Sequence, residues 1–161
     1  MTEPTTDHVD VSGAEGSGVS VSLVDVNVLV ALCLSTHQHH RAAHRFLREV
    51  TGRWATCPIT EAGLVRLLLN PAVTGSPRTI TQVIGVVAGV RQDPRWMYLA
   101  DDTTLTEPLV DLRILTGHQQ VTDVHLVNLA ARYGAVLVTF DTALPTWLSP
   151  ADRRHVRVIP T

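Results

Sequence analysis

The sequence predicts an α/β domain: a central, mostly parallel sheet with helices on both faces. Three observations predict it. Strand-like runs alternate with helix-like runs from Val19 onward. Several strand-like runs, residues 135–140 (AVLVTF) above all, are apolar at nearly every position, as strands buried on both faces of a parallel sheet are. The chain has 161 residues, 45% hydrophobic and 17% charged, enough for one domain to bury a core without staples.

Each element follows from local pattern. Residues 19–24 (VSVSLV) are a short β-branched run that meets Asp25. Residues 26–34 read as a buried helix. Residues 37–50 read as a second helix, with Ala42, Ala43, Phe46, Leu47 and Val50 on one face and Arg41, Arg45 and Arg48 on the other. Residues 54–57 are a short strand and residues 60–69 a helix that Asn70-Pro71 ends. A loop through Gly75, Ser76 and Pro77 leads to a helix over residues 79–91. Residues 96–99 are a strand, and Asp101-Asp102 a turn. Residues 107–115 are expected to be helical, with Pro108 in the first turn. A loop at 117–120 precedes a helix over residues 122–133, closed by Gly134. The strand at 135–140, a short helix at 142–148 and a last strand at 156–159 complete the order. The first 18 residues, acidic and rich in Gly, Ser and Thr, read as a disordered tail, leaving residues 19–161 as the folded domain. They lack the basic start and apolar centre of a secretory signal.

Composition excludes several classes. The chain has 13 arginines and no lysine. That removes the P-loop, pyridoxal and protein-kinase chemistries, each of which needs a lysine. A net charge of −2 leaves no domain-wide basic field for nucleic acid, so a polyanion has to be held locally, by arginines or metal ions. No apolar run reaches the length of a spanning helix. Cys33 and Cys57 both lie in apolar runs and read as reduced core thiols, which fits the cytoplasm.

Four acids stand where chemistry collects. Asp25 ends the first strand, Glu61 opens the helix after the second, Asp123 lies in the first turn of the 122–133 helix, and Asp141 follows the 135–140 strand. In an open α/β sheet the ligand crevice lies outside the carboxyl ends of the strands. Each acid alone also fits ordinary capping or turn work. Four at one edge would repel at about 4 kcal/mol per pair at 4 Å, which calls for a cation. Oxygen donors without cysteine suit Mg²⁺ or Mn²⁺. Asn27, Thr60, Thr122 and Thr139 lie within two residues of these acids and are expected to orient the carboxylates or to make local caps.

These residues carry a resemblance. Residues 24–29 (VDVNVL), 54–61 (WATCPITE), 117–123 (GHQQVTD) with His125 and Leu126 after it, and 138–141 (VTFD) together resemble the PIN-domain ribonucleases, specifically the VapC-type toxins of bacterial toxin–antitoxin modules. The pieces stand in family order with family-like spacing. The resemblance implies a PIN-like fold over residues 19–161, dependence on Mg²⁺ or Mn²⁺, endonucleolytic cleavage of RNA, a cognate VapB-type antitoxin and a homodimer. It makes Asp25, Glu61, Asp123 and Asp141 the catalytic and metal-holding residues, and none of the four departs from the family pattern. The competing classes are a non-toxin PIN-like metal-dependent nuclease and a catalytically silent binding protein on the same fold.

Other features stay open. Arg41, Arg45 and Arg48 suit either RNA phosphates or a solvated helix face. His118 and His125 flank Asp123 and suit either substrate contact or ordinary surface bonding. His37, His39, His40 and His44 cluster in sequence, and His40 and His44 have helical i,i+4 spacing, but zinc needs more geometry than a cluster supplies. Trp54, Trp96 and Trp147 read as core or interface anchors. Apolar surface over residues 26–34 and 42–50 is expected to receive an antitoxin helix.

Overall fold

Five strands form one parallel sheet. They are β1 (Val21–Val24), β2 (Arg53–Thr56), β3 (Trp96–Tyr98), β4 (Val136–Thr139) and β5 (Val156–Val158), in the spatial order β3-β2-β1-β4-β5. Every neighbouring pair is parallel. The computed structural model describes residues 20–161, so the tail expected over residues 1–18 lies outside the described residues.

The helices are α1 (Val26–Cys33), α2 (His40–Glu49), α3 (Pro58–Leu68), α4 (Pro71–Thr74), α5 (Ile80–Val90), α6 (Val121–Arg132) and α7 (Leu144–Trp147). Successive strand residues face opposite sides of the sheet, and the two cores divide accordingly. Val24 and Val138 join Val28, Phe46, Leu64, Leu68 and Val83, from α1, α2, α3 and α5, on one side. Leu23, Ala55 and Leu137 join Val124, Val127 and Leu144, from α6 and α7, on the other. Both faces are covered, as the apolar strand runs require. Cys33 and Cys57 are free thiols. Among the described residues no helix is long and apolar enough to cross a membrane.

Two packing details set the site. The order runs outward from β1 in both directions, so the chain switches direction between β1 and β4, the usual place for an α/β crevice. Helices α1 and α3 meet at Gly63, where a Cβ would stand 2.9 Å from Val26 Cγ2. A larger residue there would push apart the helices that follow β1 and β2.

Two expectations need correction and one is extended. The helix expected over residues 107–115 is irregular chain with one short 3₁₀ turn, Leu112–Ile114. Side chains from elsewhere take its backbone donors. The Leu109 N–H donates to Asn128 Oδ1 at 2.7 Å and the Asp111 N–H to Asp152 Oδ2 at 3.0 Å, so helical bonding loses to tertiary bonding. Asn70-Pro71 both ends α3 and starts α4: Asn70 Oδ1 accepts from the Ala72 N–H, Pro71 supplies the first helical position, and Gly75 closes the turn at φ +75°. The apolar face of α2 is not free for a partner helix, because Ala42, Ala43, Phe46 and Val50 lie in the core together with Val28, Leu29, Val30 and Ala31 of α1.

Candidate active site

The end of β1 and the end of β4 are stitched together by side chains more than a hundred residues apart. Asp25 is only 6% exposed and serves as the N-cap of α1, its Oδ1 accepting from the Val26 N–H at 2.6 Å. Its Oδ2 accepts from the Thr139 hydroxyl at 2.7 Å and from Asn27 Nδ2 at 2.9 Å. The Asn27 amide also donates to Thr139 Oγ1 at 2.9 Å, while Asn27 Oδ1 accepts from the Phe140 N–H at 3.1 Å. Thr139 Oγ1 accepts from the Asp141 N–H at 3.0 Å, and Asp141 Oδ1 accepts from the Ala143 N–H at 2.8 Å. Asn27 and Thr139 therefore fix the direction of the Asp25 carboxylate, and Thr139 ties the Asp141 backbone to it.

Electrostatics bring the third acid in. Burial pushes the Asp25 carboxyl above its ordinary range; the Asp141 charge adds to this, and the hydrogen bonds from Thr139, Val26 and Asn27 oppose it. Asp123, half-buried at the start of α6, is pushed up to about 6, by burial first and then by the charges of Asp25 and Asp141. Among the described residues, no ion pair reaches any of these three carboxylates.

Glu61 differs. It follows β2 on the same edge of the sheet, but its carboxylate is already occupied. Glu61 Oε1 accepts from the Thr56 hydroxyl at 2.6 Å and from Arg91 Nε at 3.0 Å, and Oε2 accepts from Arg91 Nη2. Thr56 and Arg91 are partners of Glu61 that the sequence reading missed. Thr56 ends β2 as Thr139 ends β4, a parallel visible in the sequence; Arg91 lies 30 residues from its partner and gives no local signal.

The remaining candidates divide. Thr60 bonds to the backbone of Cys57, accepting from its N–H at 3.0 Å and donating to its carbonyl at 3.2 Å, so it caps α3 and does not orient Glu61. Thr122 is exposed and makes no contribution to the Asp123 carboxyl. Arg41, Arg45 and Arg48 are exposed and, with His40 and His44, line a surface hollow of about 410 Å³. His40 Nδ1 lies 2.7 Å from the Ala31 carbonyl and His44 Nε2 3.2 Å from that of Leu32. These two histidines serve the carbonyls left open at the end of α1. His39 stacks on Phe140, ring centroids 4.7 Å apart, which seats the start of α2 beside Asp141. His118 is exposed on the turn before α6. His125 pairs with Asp101 at 2.7 Å. Trp54 is core, while Trp96 and Trp147 are half-buried.

The donor chemistry of Asp25, Asp123 and Asp141 fits a hard divalent cation. Among the described residues no three His, Cys, Asp or Glu side chains stand close enough to enclose a metal ion. Mg²⁺ keeps several waters and takes one or two carboxylates from a protein, so this donor set suits a partly hydrated ion better than a dry cage.

The fold and much of the sequence are shared with known proteins. The family model described as PIN domain matches residues 22–146, from within β1 to within α7. The chain belongs to the PIN-domain family. It is 43% identical over 140 residues to ribonuclease VapC38 of Mycobacterium tuberculosis, covering 86% of this chain and 98% of that protein. It is 42% identical over 125 residues to ribonuclease VapC39 of the same organism, covering 76% and 90%. These relatives make it a VapC-type PIN domain. Two solved structures share the fold at 13% identity. VapBC2 of Rickettsia felis, bound to a DNA fragment from its promoter, aligns at a TM-score of 0.56 over 87% of this chain and 99% of the other. VapC20 of Mycobacterium tuberculosis, titled a sarcin–ricin loop cleaving toxin, aligns at 0.53 over 78% and 93%.

Proposed function

We propose that this VapC-type PIN domain is a divalent-metal-dependent endoribonuclease and the toxin of a VapBC-type pair. The observation that supports the reading most is the approach of Asp25, Asp123 and Asp141: three carboxylates, one buried and two half-buried, with no ion pair to any of them among the described residues. A folded protein tolerates their repulsion where an external cation relieves it. Asp25, Asp123 and Asp141 would hold Mg²⁺, or Mn²⁺ in its place, with Glu61 as the fourth acid of the same edge. When bound, such an ion lowers the pKa of water and stabilises charge on a leaving oxygen.

The chain's own residues supply the rest. Thr139 and Asn27 fix the direction of Asp25, so its carboxylate does not have to reorganise. The free carboxylate oxygens of Asp123 and Asp141 are acceptors for the hydrogens of an attacking water, which orients its lone pair toward phosphorus. Arg41, Arg45, Arg48 and His118 are the proposed contacts to the RNA backbone. A VapB-type antitoxin is the proposed partner and a homodimer the proposed assembly, both resting on the family tie.

Cleavage of RNA and DNA side by side, with Mg²⁺ or Mn²⁺ and with chelator, tests the reading. RNA cleavage that chelator stops and that Asp25→Asn abolishes in a folded protein is expected. DNA cleavage would favour a non-toxin nuclease, and no cleavage a binding protein. Growth arrest on expression, relieved by the adjacent upstream frame, is the expected sign of the toxin pair. Replacing Arg41, Arg45 and Arg48 by Gln should flatten the dependence of log affinity on log salt by about 2 for single-stranded RNA. An unchanged slope would return the stripe to a solvated helix face.

A further inference from the structure

The contrast between Glu61 and the other three acids points to a residue that neither the family tie nor the acid pattern includes. Arg91 caps the end of α5 and reaches back across 30 residues to grip Glu61 with two nitrogens, Nε and Nη2. Its guanidinium also lies 5.0 Å from the ring centre of Trp96 and 5.3 Å from that of Tyr98. Those rings stand on β3, beside β2, from which Thr56 donates to the same carboxylate. Trp96 Nε1 donates in turn to Thr56 Oγ1 at 3.0 Å. Glu61 Oε1 thus accepts two hydrogen bonds and Oε2 one, all within a network that aromatic rings hold in place. A two-pronged guanidinium–carboxylate pair is among the stronger polar contacts a protein makes, and the Glu61 side chain is only 14% exposed.

We propose that Arg91 is a positioning residue that acts as the resident counter-ion of Glu61, so that the divalent ion is held by Asp25, Asp123 and Asp141 and Glu61 joins only when Arg91 lets go. The inference rests on the metal-site reading above. Arg91 and a metal ion compete for one carboxylate, and the competition is reciprocal: the factor by which Arg91 weakens the metal is the factor by which the metal weakens the Arg91 grip. The chain thereby carries its own brake on how many acids reach the ion.

The test is calorimetric titration of Mn²⁺ into the full chain, with melting curves to confirm folding, and it needs no cleavage assay. Asp25→Asn should weaken Mn²⁺ binding at least about tenfold. Glu61→Gln should leave it within about twofold, because a carboxylate already paired contributes little. Arg91→Gln should tighten it about fivefold, and the gain should vanish in the Glu61→Gln/Arg91→Gln double variant. Arg91→Lys, which keeps the charge but loses the two-pronged grip, should fall between wild type and Arg91→Gln and serves if the glutamine variant does not fold. Strong weakening by Glu61→Gln, with no tightening from Arg91→Gln or Arg91→Lys, overturns the role of Arg91 while Asp25→Asn still supports the metal site. Binding that survives Asp25→Asn overturns the metal site and this inference with it.

Discussion

Two groups of acids share one edge of the sheet and are treated in opposite ways. Glu61 has a guanidinium from α5, a hydroxyl from β2 and aromatic walls around its partner. Asp25 and Asp141 have hydrogen-bond donors, and none of Asp25, Asp123 and Asp141 pairs with a cation among the described residues. The first arrangement is finished within the chain. The second is left with a charge imbalance that burial makes worse. Where a fold neutralises one carboxylate and leaves three others exposed to each other's fields, the three are where the proposed cation would act.

The largest expected effect compares the groups directly. In one cleavage assay, Asp25→Asn should cost about a hundredfold or more, and Glu61→Gln much less. Equal losses would break the contrast. Next comes the stitch. Asn27→Ala removes hydrogen bonds to Asp25, Thr139 and Phe140 and should cost about 2 kcal/mol, or about 4–8 °C in Tm. It should also slow cleavage, since Asp25 loses its aim. A melt unchanged from wild type would show that the stitch holds nothing.

The smallest effect concerns pH, and its sign follows from the direction of each shift. Asp123 titrates at about 6 in the fold, above the ordinary value near 3.9. Above pH 6 the folded chain carries its full repulsion. Between about 6 and 4 the fold takes up a proton before the unfolded chain does, so stability rises as pH falls. Asp93 is the reverse: the Arg95 side chain holds it at about 2, so its contribution is present above pH 4 and lost toward pH 2. His37, shifted downward by burial and by His39 and His40, also loses stability as pH falls. The clean measurement is therefore a difference. Without metal, Asp123→Asn should melt about 3 °C above wild type at pH 7, and the gap should close by about pH 3.5. A gap that persists there, or never opens, would remove the repulsion.

Much of this was legible in the sequence, for a physical reason. Strands buried on both faces must be apolar throughout, so residues 135–140 announced themselves, and topology then carried Asp25 and Asp141 to neighbouring strand ends. What stayed hidden depends on long-range bonding. Residues 107–115 have a helical look, yet Asn128 and Asp152 claim their backbone donors. Arg91 resembles any arginine at a helix end until the fold lays it over Trp96 and beside Glu61. Thr60 and Thr139 both neighbour an acid, and only tertiary structure separates the cap from the orienting hydroxyl.

The stitch between β1 and β4 has a consequence in time. Asp25 is made first, Thr139 follows 114 residues later, and β1 cannot complete its pairing until β4 slides in beside it. A growing chain that has emerged only as far as β3 holds one acid of the triad and neither Thr139 nor Asp141. The edge where the acids meet is thereby left unbuilt until β4 has joined β1.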